Sequence, residues 1–132
     1  MLQRDYLLEL VRSFCVTMQR LLGMCCIHHD ESAIAEAEAQ IGEILQLDRE
    51  TALSLTPDSL VTMMLLSGTS DSVAGYVAYS LLRLSEAYAY HGRERLSQVR
   101  HDQAVAVAKE YQWNLAEVPE GMAEFDDEYR HA

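Results

Sequence analysis

Apolar residues recur at alternating steps of four and three from the start of the chain: Leu7, Val11, Phe14, Met18, Leu21 and Cys25 share a stripe that Leu8, Cys15 and Leu22 widen. That period belongs to the α-helix. It predicts an amphipathic helix from Asp5 to about Met24, roughly six turns at 3.6 residues per turn. Such a stripe suits packing within a helical bundle, and its three repeats also allow half of a coiled-coil dimer.

In "SAIAEAEAQIGEILQLD" the period returns, with Ile34, Ala37, Ile41, Ile44 and Leu45 on one face and Glu36, Glu38 and Glu43 on the remainder. "TALSLT", Thr51 to Thr56, is too short to read as more than a turn or link. In "TPDSLVTMMLLSG" a threonine cap, a proline just inside it and a glycine just past the end bracket a buried helix from Pro57 to Leu66. Asp71 or Ser72 caps a further helix to about His91, with Val73, Val77, Leu81, Leu84 and Tyr88 inward and Gly92 as its stop. Arg93 to Gln112 supplies the last long helix, with Leu96, Val99, Ala104, Val107, Ala108 and Tyr111 expected to be buried. No run of period-two alternation is present, so the expected fold is all-α, about five helices in antiparallel hairpins. Residues 1–116 form one domain in this reading and residues 117–132 an acidic tail. There "EVPEGMAEFDDE" holds six acids, and Met122 and Phe125 are either locally packed or a docking motif.

Two stretches carry a resemblance. Ala37, Ile41, Ile44, Leu45, Leu47 and Asp48 resemble the second helix and exit of a tetratricopeptide repeat, and Leu81, Leu84, Tyr88 and Gly92 of "LLRLSEAYAYHG" the first helix of another. Ser97 and His101 depart from that pattern, and no full repeat period is found. Taken whole, through "RDYLLELVRSF" and "ILQLDRETALSLTPDSLVTMML", the chain is similar to an uncharacterised bacterial family of small helical proteins built on that degenerate repeat. The resemblance implies the fold and no activity.

Charge narrows the partners. A net charge of -11, from 21 acids against 10 bases, repels nucleic acid and anionic membranes. The three cysteines include the adjacent Cys25 and Cys26, which would bridge only through a strained ring, so free thiols in a cytoplasmic setting are expected. The N-terminus has no basic region followed by an uninterrupted apolar run, and no membrane span is expected.

Three groups of residues are candidates for function. In "GMCCIHHDES", helical continuation would set Cys25 against His29 and Cys26 against Asp30, making Cys26, His28, His29 and Asp30 metal-ligand candidates. Against this, Cys25 continues the apolar stripe, Asp30 or Ser32 suits a helix cap, and no second Cys or His pair completes four ligands. His29-Asp30 and His101-Asp102 also spell the dipeptide of all-α "HD" metal-dependent phosphohydrolases. The first pair lacks an upstream histidine; the second leaves His91, His101 and Asp102 as candidates, with Asp126 or Asp127 downstream. Lastly, Tyr76, Tyr79, Arg83, Glu86 and Tyr90 form a stripe of residue types favoured at recognition surfaces. The sequence therefore predicts a non-catalytic protein-interaction or self-association module, its partner another protein or a second copy, with no cofactor. A metal-dependent hydrolase and a ligand-binding bundle are the alternatives.

Overall fold

A computed structural model describes the backbone of residues 2–132 and the side chains from Asp5 onward. Among the described residues the chain is all-helical, with seven α-helices where about five were expected. They are α1 (Leu2–Leu22), α2 (Ser32–Leu45), α3 (Arg49–Ser54), α4 (Pro57–Leu66), α5 (Asp71–Tyr90), α6 (Glu94–Glu110) and α7 (Ala123–Arg130). A π turn, Gly23–Ile27, continues α1.

The termini follow local chemistry. Thr56 accepts the Ser59 N–H at 3.3 Å with Pro57 in the first turn of α4. Ser70, one residue before the expected caps, accepts the Val73 N–H at 3.4 Å and opens α5. At the end of α2, Gln46 is left-handed and the Leu47 N–H returns to the Gly42 carbonyl at 2.8 Å, closing the helix in the Schellman manner. Gly42 permits that corner: a Cβ there would stand 2.8 Å from the Leu47 carbonyl oxygen.

"TALSLT" is helical, not a link. Asp48 caps α3 by accepting the Thr51 N–H, and Ala52 and Leu53 are buried. Helix α5 is the centre of the bundle, buried continuously from Val73 to Leu81. It packs most extensively on α6, while α1 packs on α2 and α4 on α6. The buried face of α6 differs from expectation: Leu96 is exposed, and Arg100 and Gln103 join Ala104, Val107 and Ala108 inside.

Helix α1 supplies Phe14, Met18, Leu21 and Leu22 to the core; each such burial contributes about 1.5–3 kcal/mol. Against the expectation of no membrane span, Asp5–Ile27 is long and apolar enough, by length and composition, to cross a membrane, a test that the core helix of a helical bundle also passes. The acidic C-terminal stretch returns to the bundle: Met122 and Phe125 are buried, and α7 packs on α1 and the π turn.

Candidate interaction surfaces and buried polar clusters

The tyrosine stripe on α5 is occupied by the chain's own C-terminal segment. The Tyr76 hydroxyl donates to the Glu120 carbonyl, and burial pushes its pKa up to about 12. Tyr79 donates to Asp126 Oδ1 at 2.8 Å and meets Phe125 edge-on. The Arg83 guanidinium lies between the rings of Tyr79 and Tyr129, 4.9 and 5.1 Å from their centroids. It pairs with Glu86 and, at 3.7 Å, with Asp126. Tyr129 donates to Glu86 at 3.1 Å and stacks on Phe125. Burial alone would raise the Asp126 pKa, but hydrogen bonds from Arg130 and Tyr79 and the charges of Arg130 and Arg83 outweigh it and hold it below the ordinary value. Tyr76 and Tyr79 are thus no open surface; of the stripe, Tyr90 is well exposed.

The stretch "GMCCIHHDES" divides among several partners. Cys25 and Cys26 are buried with their sulfurs 3.7 Å apart, and the Cys26 thiol points at the Arg83 carbonyl of α5 at 3.5 Å. His28 is exposed; His29 takes a left-handed backbone and stacks on Tyr90, ring centroids 3.6 Å apart and nearly parallel. Asp30 Oδ1 accepts the Ser32 N–H at 3.0 Å and its hydroxyl at 2.6 Å, opening α2. His91 comes to this end of the bundle through Glu31, 3.4 Å from its Nδ1, and Glu31 also pairs with Arg93. His101 and Asp102 lie elsewhere on the exposed side of α6, 3.6 Å from each other, with Asp102 accepting from Gln98. Among the described residues, no three His, Cys, Asp or Glu side chains converge in a way that could hold a metal ion. Neither candidate ligand set is brought together.

Residue reading missed the most buried polar cluster. Glu38 accepts from Tyr88 at 2.7 Å and from Arg100 at 2.9 Å; Arg100 also donates to the Leu53 carbonyl and to Gln103. Gln103 in turn donates to the carbonyls of Leu53 and Leu55. The cluster fastens α3 to α2, α5 and α6. A charged residue three before a buried Gln on an otherwise alanine–valine face was the available signal.

Several open concavities lie on the described surface; two of them, between α4 and α6 and between α3 and α6, are lined largely by charged and polar side chains. A cleft of about 370 Å³ lies between the start of α1, the end of α2 and the α4–α5 turn. Leu7, Leu10, Ile44, Leu45 and Val73 line one side of it, Gln46, Ser67, Thr69 and Ser70 the other, with Tyr6, 60% exposed, at its rim. Leu66, beside the turn that closes it, is 79% exposed. Leu8 and Val16 are exposed as well, on a different face of α1. In comparisons with family models, curated proteins and solved structures, nothing matches this chain.

Proposed function

We propose that this chain is a non-catalytic binding module of tetratricopeptide-like helical hairpins, which seats an apolar, basic segment of another protein in the cleft beside α1. The observation that carries this reading is the cleft itself, an apolar floor of Leu7, Leu10, Ile44, Leu45 and Val73 edged by the exposed Tyr6. Clustered exposed apolar residues at a concavity mark interaction sites. An amphipathic helix docks in such grooves through anchors at helical spacing. Asp5, Glu9 and Glu43 are exposed on the two helices that wall the cleft, and the chain is acidic as a whole, so basic residues flanking the anchors complement it. A second copy would bring like charge to the same place, which favours a different protein in a cytoplasmic setting, with neither nucleic acid nor membrane as partner.

A dye-labelled synthetic peptide with a leucine stripe and a lysine face serves as the probe, read by fluorescence anisotropy. Saturable binding is expected, weakened about tenfold by Tyr6→Ala and unchanged by Leu8→Ala. Equal loss in both variants, or no saturation, sinks the proposal. Sedimentation in parallel decides the remaining version: a concentration-dependent dimer disrupted by Tyr6→Ala, without peptide binding, puts a second copy in the cleft instead.

A further inference from the structure

We propose that Cys25 and Cys26 are an oxidisable vicinal dithiol, which peroxide converts reversibly into a disulfide within the π turn. The two sulfurs are already in contact at 3.7 Å, and a disulfide bond of about 2.05 Å requires them to close by only about 1.7 Å. Cys15 is placed differently, its thiol directed at the Glu120 carbonyl under the C-terminal segment. Neighbouring Cα atoms stand about 3.8 Å apart across a trans peptide, closer than in ordinary disulfides. Closure therefore strains the turn, and a strained disulfide is the kind that thiols reduce readily.

The turn is suited to absorb that change. It is a π turn, closed by the His28 N–H on the Gly23 carbonyl at 3.1 Å, and such single turns are rare and often functional. Gly23 has open space where a side chain would be, with nothing within 4 Å of a Cβ, so the backbone has room to move there.

The two thiols differ in character. The Cys26 thiol, hydrogen-bonded to Cys25, lowers the Cys25 pKa against the opposing effect of burial. The same contact, together with burial, raises that of Cys26. Cys25 is accordingly the attacking sulfur and Cys26 the resolving one. The Cys25 thiol ionises and its thiolate attacks one peroxide oxygen; the O–O bond breaks, and the departing hydroxide combines with the proton that Cys25 released to give water, leaving a sulfenic acid. The Cys26 sulfur then attacks the Cys25 sulfur, the S–O bond breaks, and hydroxide leaves with the Cys26 proton as a second water. Two thiols and one peroxide become one disulfide and two waters.

Cys25 is 0% and Cys26 6% exposed, and α7 packs on the turn. Reaction therefore passes through local opening of that end of the bundle. A substitution that loosens α7, such as Asp126→Asn, should accelerate it several-fold.

Trypsin separates the cysteines: cleavage after Arg12, Arg20 and Arg49 leaves Cys15 on one peptide and both Cys25 and Cys26 on another. The reduced native protein is treated with hydrogen peroxide, alkylated, digested and weighed. The expected result is the loss of two hydrogens from the peptide spanning 21–49, no alkylation of its thiols, an alkylatable Cys15, and full recovery on reduction. Cys15→Ser should leave this unchanged, and Cys26→Ser should abolish it. Oxygen addition at Cys25 without closure, a bridge involving Cys15, or survival of both thiols at doses that leave the circular dichroism unchanged would overturn the proposal. The wild-type digest gives each of these readings even if a cysteine variant does not fold.

Discussion

Glu38 and Asp126 are both buried carboxylates met by arginine and by a tyrosine hydroxyl, yet they hold different kinds of structure. Around Glu38 the network is closed: Arg100 is itself buried, and its nitrogens are spent on Glu38, the Leu53 carbonyl and Gln103. Four helices meet there. Around Asp126 the network is open, since the Arg130 side chain is 58% exposed and the buried Arg83 Nε has no hydrogen-bond partner. It holds one eight-residue helix, too short to be stable alone. A closed buried network makes its elements interdependent, whereas an open one at the margin leaves its element able to detach with the rest intact.

The largest test breaks the closed network. Arg100→Met leaves Glu38 as a buried, uncompensated charge and should cost about 3–5 kcal/mol in urea unfolding, with α3 and the central helices lost together. A cost no greater than that of a surface substitution would erase the contrast. Next comes the open network: Asp126→Asn should cost about 1–2 kcal/mol. Hydrogen exchange should show the effect concentrated at α7 amides, with those of α5 and α6 still protected. Uniform loss of protection would show that α7 belongs to the same cooperative unit as the core.

The smallest effect is the pH dependence of the clasp. Because the folded pKa of Asp126 is depressed below its ordinary 3.8, its contribution is fully present above that value and fades as pH falls through the lower, folded one. Exchange at α7 should therefore accelerate in this acid range, and Asp126→Asn should remove that limb of the profile.

What the residues revealed depended on whether the information was local. The caps of α4 could be read from Thr56 and Pro57 because a cap uses neighbours in sequence. Helix α3 could not be read, since its six residues are secured by Arg100 and Gln103 reaching the Leu53 and Leu55 carbonyls from α6. The same holds for α7: its acids, with Pro119 and Gly121 just before them, look like a solvated terminus, and only the pairing of Asp126 with Arg83 and Tyr79, more than forty residues away, draws them in. The tyrosine stripe was visible by its spacing. Its covering by the chain itself was not, because nothing along α5 records which partner lies on it.

Trp113, the single tryptophan of the chain, rests on α5 at Gly75, where a Cβ would come within 3.0 Å of the indole. The clasp around Asp126 instead contains Tyr79 and Tyr129. The molecule thus carries two optical reporters in separate places. Indole fluorescence follows the junction of α5 with the end of α6, and the part of the absorbance of the seven tyrosines that Tyr129→Phe removes follows the clasp, so melting the two proteins side by side at two wavelengths can time the departure of α7 against the loss of the bundle.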